Sequence, residues 1–263
     1  MAEMEWETPH LLAEIQDGQL LPHHSIDCVV LGYDKRELKV LLVRWRGEEM
    51  WGLPGGFVRK TENFEEAASR ILTARTGLRD VYLEQFHTFT NVDRNQSASS
   101  AEAAMFQRVS KRLPGGTEVA RWLQQRFVST GYFALIQLDE ATPRPDFLSD
   151  ACSWHPVSHL PRLILDHGQM LARARLHLRQ KVNYLPVGLK LLPEKFTMGM
   201  LQSLYEAILQ RPLVRSNFQR KMLSLGTLQR HEKLKTGAAN KAPYLYSFMP
   251  EAYYRLVREG IGF

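Results

Sequence analysis

Apolar residues in the first two-thirds of the chain occur in short runs that predict β-strands around one segment of helical period. Residues 24–33 and 38–45 form two such runs, and the charged segment YDKREL between them indicates a hairpin turn. Further strands are predicted at 81–89, 127–138 and 152–157, and an amphipathic helix is predicted within 163–181. Strands on both sides of a single central helix favour an α+β fold over a doubly wound sheet.

The central helix is predicted between Asn63 and Gly77. Asn63 can cap its N-terminus, with Glu66 completing a capping box three residues later. Gly77 stands where a left-handed residue commonly ends a helix. The apolar residues of the segment form one stripe at helical spacing and are Phe64, Ala67, Ala68, Ile71 and Leu72.

Two segments interrupt this pattern. Residues 1–22 are expected to be a polar lead-in with a candidate helix at 10–21, and residues at about 95–125 to be an insertion between two strands. The insertion begins with the small, polar run SASSAEAA and continues with two candidate helices separated by PGG. A partly disordered surface loop is the alternative interpretation of the same residues.

The tail of the chain has a different organisation. From Leu192 the pattern predicts a helix capped by Thr197, a break at Arg211-Pro212 and a second helix at 214–225. Two β-like segments then flank a loop rich in Lys, Gly, Ala and Asn. Helix, turn, helix and β-hairpin in this order are the layout of a winged helix.

Charge is distributed unevenly along the chain, whose formal net charge is +6. Residues 186–263 carry twelve Lys and Arg against five Asp and Glu, a net +7, whereas residues 1–185 carry 22 against 23, a net −1. A basic C-terminal third indicates contact with a polyanion. From charge alone, a merely basic surface is the alternative.

Composition narrows the class of protein. The two cysteines, Cys28 and Cys152, cannot build a disulfide framework, and Cys28 lies in an apolar run typical of a reduced core thiol. The sequence contains no run of 18 apolar residues, and the acidic N-terminus lacks the pattern of a secretory signal. These features predict a cytoplasmic protein with no membrane partner.

The segment GGFVRKTENFEEAASRILTARTGL resembles the Nudix box. It keeps the spacing of that motif without a gap over 23 residues, and the matching positions are Gly56, Glu62, Arg70, Leu72, Gly77 and Leu78. The resemblance implies a Nudix-type α/β/α sandwich with a mixed sheet.

Three helix positions depart from that motif. Nudix hydrolases are expected to carry carboxylates there that bind divalent metal, but this chain has Ile71, Ala74 and Arg75. Ile71 and Ala74 offer no oxygen ligand, and Arg75 would place a positive charge where Mg²⁺ should lie. We therefore predict no metal site, no cofactor, no catalytic residues and no enzyme activity. An active Nudix hydrolase that uses other carboxylates is the alternative.

The second helix of the tail has a polar outer face suited to DNA. Its side chains can reach base edges and phosphates. The predicted DNA-binding residues on this helix are Arg215, Ser216, Asn217, Gln219, Arg220 and Lys221, and Lys235 and Lys241 are added from the wing loop. A solvated helix face is the alternative.

Both features together resemble the Nudix-related transcriptional regulators, which pair a Nudix-like sensor with a winged helix. The sequence segments that resemble those regulators include GGFV, LILDHGQML and RPLVRSNFQRKML. The resemblance implies three parts: the lead-in at 1–22, an effector-sensing domain at 23–185 and a DNA-binding domain at 186–263. It also implies a homodimer on a palindromic double-stranded DNA operator. A protein-binding module that kept the Nudix shell is a further alternative.

The effector of such a regulator is expected to be a sugar or a molecule related to ADP-ribose or NAD. We favour a sugar, because the sequences of these segments are more similar to those of the sugar-responsive branch of the regulators. The expected ligand-binding residues surround the glycine turn and are Arg44, Trp51, Gly55, Gly56, Phe57, Arg59, Asp93 and Arg94. Core packing of the aromatic residues and surface or Asp-paired arginines are the alternative.

Overall fold

A computed structural model describes residues 8–34, 36–79, 81–94, 100–111, 116–146, 148–182, 187–234 and 242–259. The chain divides into two compact units. The first consists of residues within 1–31, 39–134 and 139–174, and the second of residues within 32–38, 135–138 and 175–263.

The first unit is built on a seven-stranded sheet. Its strands run in the order β3-β2-β1-β6-β5, with β4 paired to β1 and β7 paired to β2. The elements are α1 (Thr8–Gln16), β1 (Leu20–Asp34), β2 (Glu37–Trp45), β3 (Trp51–Gly52), β4 (Gly55–Arg59), α2 (Phe64–Thr76), β5 (Leu83–Phe89), α3 (Ser100–Ser110), α4 (Gly116–Leu123), β6 (Val128–Leu135), β7 (Ser149–Pro156) and α5 (His167–Lys181), of which residues 175–181 belong to the second unit. This arrangement of strands and helices confirms the predicted α+β class.

The central helix α2 forms as its end signals predict. The Asn63 side chain accepts a hydrogen bond from the Glu66 backbone N–H at 2.9 Å, and the Glu66 carboxylate accepts one from the Asn63 N–H at 2.8 Å. Gly77 ends the helix with φ of 74°. The stripe residues Ala67, Ala68, Ile71 and Leu72 are all buried in the core.

The insertion contributes two ordered helices where the sequence left a loop as the alternative. α3 begins at Ser100, earlier than the pattern indicated, so part of the small, polar run is helical. Met105, Phe106 and Val109 join a core cluster with Met50 and Ile164. Residues 95–99 and 112–115 of the insertion lie outside the described residues. The described part of the insertion is therefore packed into the first unit.

The second unit contains a three-stranded sheet in the order β8-β10-β9. Its elements are α6 (Val187–Leu191), β8 (Phe196–Thr197), α7 (Met198–Leu209), α8 (Arg215–Ser224), β9 (Leu228–Lys233), β10 (Tyr244–Phe248) and α9 (Pro250–Glu259). The Tyr205 ring on α7 packs against the Phe218 ring on α8, with centroids 5.3 Å apart. This is the predicted winged-helix layout of two helices followed by a β-hairpin.

The sequence pattern did not predict α9. Pro250 occupies its first position, which suits the fixed φ of proline, and Tyr253 is buried. Its apolar residues lie strongly on one side of the helix, so the helical period was present in the sequence. The winged-helix assignment of the tail ended with the β-hairpin and did not use it. Among the helices of the described ranges, none has the length and apolar character needed to cross a membrane.

Candidate functional site

The glycine turn packs against protein atoms of the first unit. A Cβ added at Gly55 would lie 2.6 Å from Asp27 Oδ1, and one added at Gly56 would lie 3.0 Å from Ile71 Cδ1. Gly55 therefore has no room for a side chain, and a side chain at Gly56 would require Ile71 to move. Both glycines also line a cavity.

Glu62, the first carboxylate of the motif, is held in a structural pair. It accepts hydrogen bonds from Arg70 Nε at 3.0 Å and from the Arg59 backbone N–H at 2.8 Å. Burial raises the pKa of Glu62, but these two bonds and the nearby arginine charges outweigh burial and hold the pKa below its usual value. Arg70 also donates to the Phe57 carbonyl at 2.8 Å, so the pair ties α2 to β4.

The remaining oxygen donors near α2 do not form a metal site. Glu65 accepts a hydrogen bond from the Tyr132 hydroxyl at 3.2 Å, and Glu66 serves the helix cap. Ile71 packs beside Gly56, and Ala74 carries no ligand atom. Across the described ranges, no group of three His, Cys, Asp or Glu side chains is arranged to hold a metal ion. These residues do not fit the divalent metal of the Nudix hydrolases.

Arg75 forms a buried ion pair at the C-terminal end of α2. Its Nη2 lies 3.0 Å from Asp146 Oδ2, and the two side chains are 8% and 11% exposed. The Arg75 carbonyl also accepts a hydrogen bond from the Arg144 N–H at 2.8 Å. The sequence predicted a fixed positive charge in the metal position. In the structure this charge is paired with the Asp146 carboxylate.

Two adjoining cavities open beside the glycine turn. We call them the large cavity, of about 720 Å³, and the small cavity, of about 130 Å³. They share five lining residues, which are Gly55, Gly56, Phe57, Asp146 and Leu148. Four arginines line the large cavity, namely Arg59, Arg70, Arg75 and Arg79. The small cavity is lined mostly by apolar and aromatic side chains.

A buried charged cluster closes one side of the small cavity. Arg94 donates through Nε to both carboxylate oxygens of Asp166, at 2.9 and 2.7 Å, and through Nη2 to Asp27 at 3.3 Å. His167 Nδ1 accepts a hydrogen bond from the Leu53 N–H at 2.9 Å. Burial lowers the pKa of His167 against the opposing effect of Asp27, so the ring is neutral near pH 7.

Three of the expected ligand-binding residues lie away from both cavities. Arg44 pairs with Asp150 at 2.7 Å, and Trp51 contacts the His155 ring at a centroid distance of 4.4 Å. Asp93 is exposed. None of Arg44, Trp51 and Asp93 lines the large or the small cavity, whose lining residues all belong to the described ranges.

The other five expected residues do line a cavity, and several neighbours were missed. Gly55, Gly56 and Phe57 line both cavities, Arg59 lines the large one and Arg94 the small one. The residues that sequence reasoning missed are Arg70, Arg79, Phe106, Phe127, Asp146 and His167. Arg70 was recognised only as a motif position. Arg79 directly follows the last motif position, Leu78, and no motif requirement singled it out. The other four lie far from the motif in sequence, so no local signal indicated them.

The predicted DNA-binding face of α8 is open to solvent. Arg215, Ser216, Asn217, Arg220 and Lys221 are exposed and Gln219 is half-buried. Phe218 and Met222 are buried on the opposite side. Arg220 donates to the Asn217 side chain at 3.2 Å. Lys235 and Lys241 of the predicted wing lie outside the described residues.

The base of the wing carries two further cations. The Arg230 guanidinium lies 3.8 Å from the centre of the Tyr244 ring, and Lys233 Nζ lies 5.3 Å from it. Cations placed over an aromatic face in this way are held in position by the ring. Arg230 was not among the expected DNA-binding residues, because its partner Tyr244 is brought close only by the hairpin.

The family model of the Nudix domain matches residues 21–174. The chain belongs to the Nudix family. The family model of the NrtR DNA-binding winged helix domain matches residues 188–248. The two matches in one chain confirm the predicted membership of the Nudix-related transcriptional regulators, which sense a ligand and bind DNA.

A curated relative and a crystal structure are similar to most of the chain. The chain is 28% identical over 239 residues to the ADPR responsive transcriptional repressor NtrR of Acinetobacter baylyi, covering 88% of this chain and 84% of the relative. The crystal structure of Shewanella oneidensis NrtR is 27% identical, with a TM-score of 0.64 over 88% of this chain and 96% of that one.

A second crystal structure, of Shewanella oneidensis NrtR complexed with a 27mer DNA, is 26% identical with a TM-score of 0.63. It covers 88% of this chain and 95% of that one. The effector in the name of the Acinetobacter relative is ADP-ribose, so the preference for a sugar effector finds no support in this comparison.

The Arg75–Asp146 pair generates the first prediction. Arg75→Met should lower the free energy of unfolding by about 3–5 kcal/mol, because it leaves the Asp146 carboxylate buried and unpaired. The matched change Arg44→Met, in the more exposed pair with Asp150, should cost no more than about 1 kcal/mol. Urea denaturation of both variants measures the difference. Equal decreases in the free energy of unfolding in the two variants would contradict a role for burial. The double variant Arg75→Met/Asp146→Leu should recover much of the free energy of unfolding that Arg75→Met loses.

Proposed function

We propose that this Nudix-family regulator binds ADP-ribose without hydrolysing it and couples that binding to the affinity of its winged helix for an operator. One observation carries the proposal. The first unit keeps an arginine-lined cavity on the Nudix loop and helix, while the positions of the metal ligands hold Ile71, Ala74 and the ion-paired Arg75. Such a site can retain a diphosphate ligand but lacks the means to activate water.

The large cavity suits the diphosphate of ADP-ribose. Guanidinium groups bind phosphate oxygens through two parallel hydrogen bonds, and Arg79 is exposed at this cavity. Arg59 and Arg70 also line it, although Glu14 and Glu62 pair with them at 2.6 and 3.0 Å. We therefore place the diphosphate near Arg79, with Arg59 and Arg70 lending positive potential.

Four further ligand-binding residues expected from the sequence belong to the proposed effector site. Gly55, Gly56 and Phe57 form the wall common to both cavities, and Arg94 belongs to the buried cluster of the small cavity. The effector named for the Acinetobacter relative supports ADP-ribose over a sugar. Arg44, Trp51 and Asp93 are not assigned to the effector site.

The DNA contact is assigned to α8 and the wing. We propose that α8 enters the major groove with Ser216, Asn217 and Arg220 toward the bases. A homodimer on a palindromic operator follows the organisation expected of such regulators. The proposed partner is chromosomal DNA, which places the protein in the cytoplasm.

The missing metal ligands predict no hydrolysis. ADP-ribose incubated with the protein and Mg²⁺ should release AMP at the rate of a protein-free blank, because no carboxylate set among the residues that the structure describes is arranged to hold the metal. An ADP-ribose pyrophosphatase serves as the positive control in the same chromatographic assay. Turnover above the blank that a chelator abolishes would favour the alternative of an active hydrolase.

The exposed face of α8 predicts sequence-specific DNA binding. Arg220→Ala should weaken binding to the DNA upstream of the protein's own gene by about 1–3 kcal/mol, while binding to random DNA changes little. Arg255→Ala removes the same charge from α9 and is the matched control. Fluorescence anisotropy at fixed salt compares the two DNAs. Equal losses on both DNAs in Arg220→Ala would contradict base reading by this side chain.

The arginine-lined cavity predicts coupling between effector and operator. ADP-ribose should change the operator affinity by about fivefold or more, the usual lower bound of allosteric coupling. Arg79→Ala should reduce this change, whereas Arg121→Ala, which removes an exposed arginine of α4, should not. Anisotropy titrations with ADP-ribose and with pentoses distinguish the two effector classes. A response to a pentose alone would restore the sugar hypothesis.

A further inference from the structure

We propose that the insertion builds a nucleobase compartment, the small cavity, which takes the adenine ring of the effector while the diphosphate lies in the large cavity. This inference rests on the proposed function and adds which part of the ligand each cavity binds. The insertion is the feature of the sequence that the family resemblance left without a role.

Aromatic side chains form the walls of the small cavity. Trp45 and Phe106 meet edge to face with centroids 5.2 Å apart, and Phe57 and Phe127 lie 5.3 Å apart. All four residues line the cavity. Flat aromatic and heteroaromatic rings interact favourably with such surfaces, and stacking of a base on an aromatic side chain contributes about 1–3 kcal/mol. The walls therefore favour a planar ring.

Size limits the occupant to one part of a ligand. Cavities for whole drug-sized ligands measure roughly 300–1,000 Å³. The small cavity measures about 130 Å³ and opens beside the large one through their shared residues, including Gly56 and Phe57. A molecule with a base at one end and a diphosphate beyond it matches this pair of spaces.

The terminal ribose fits the small cavity less well than the base. Each ribose hydroxyl that leaves water needs a hydrogen-bonding partner, and of the four aromatic walls only Trp45 carries a polar group, its indole N–H. The other polar groups of this cavity are Ser25 and the Arg94 cluster beside β1, and Asp146 and Ser149 near the start of β7. The Ser25 hydroxyl can both donate and accept, which suits the edge of a base whose faces rest on the aromatic walls.

The insertion is anchored firmly enough to form one side of this compartment. Glu102 of α3 accepts a hydrogen bond from the Leu165 N–H at 2.7 Å, where the Leu165 backbone has φ of 47°. Arg108 donates to both carboxylate oxygens of Glu48, at 2.9 and 2.7 Å. Between these two anchors, Phe106 is directed into the core cluster of the first unit and lines the small cavity.

Binding of ligand fragments to the full-length chain tests the assignment. Isothermal titration with ADP-ribose, AMP and ribose 5-phosphate separates the two ends of the effector. AMP should bind at least about tenfold more tightly than ribose 5-phosphate, since only AMP carries the ring that stacks. Tighter binding of ribose 5-phosphate than of AMP would overturn the base compartment.

Filling the small cavity provides the matched variants. Ser25→Leu adds apolar volume to it and should weaken ADP-ribose and AMP by about tenfold or more, the loss expected for one stacked base, while ribose 5-phosphate is unaffected. Ser158→Leu makes the same change in an exposed turn and should alter no affinity. Phe106→Leu, a milder change within the insertion, should weaken AMP several-fold. Thermal unfolding confirms that each variant is folded.

The outcomes separate this inference from the proposed function. If the wild-type chain binds ADP-ribose and Ser25→Leu binds it equally well, the small cavity does not bind the adenine ring, but ADP-ribose is still supported as the effector. If AMP binds in a way that depends on Ser25 and Phe106 but ADP-ribose does not bind, the nucleobase compartment is supported and ADP-ribose is not the effector. If neither nucleotide binds the wild-type chain, both proposals are overturned.

Discussion

The ion pair between Arg75 and Asp146 is the interaction on which the candidate site depends. It joins the end of the Nudix helix to a loop 71 residues further along the chain, and both side chains are almost fully buried. Two buried opposite charges are stable only together, because either one alone would lose its hydration without compensation. Asp146 borders both cavities, so the pair also fixes the wall between them.

The loss of the metal ligands leaves the scaffold around them intact. Glu62 and Arg70 still tie α2 to β4, and the capping box still begins the helix at Asn63. These contacts stabilise the fold and do not require a metal. The helix and the glycine turn are therefore present although the metal-ligand positions hold Ile71, Ala74 and Arg75, and four arginines line the cavity beside them.

Helix α8 of the second unit has one side that packs against the unit and another, polar side that we propose to contact DNA. Phe218 and Met222 hold α8 against the unit, with Tyr205 packed on Phe218. The polar residues on the other side, including Arg215, Ser216 and Arg220, are exposed to solvent. Arg230 and Lys233 at the wing base share the Tyr244 ring, which limits their freedom before any phosphate is bound.

The sequence by itself determined the local features and the family. The caps of α2 and the helix-turn-helix of the tail depend on residues close together in the chain, and both were predicted. Tertiary structure alone decided which distant groups meet: Asp146 with Arg75, Asp150 with Arg44, and the insertion with the small cavity. Spacing along a chain carries no information on such pairings, because they depend on how strands and loops pack. For the same reason Trp51 and Asp93, close to the motif in sequence, lie away from both cavities.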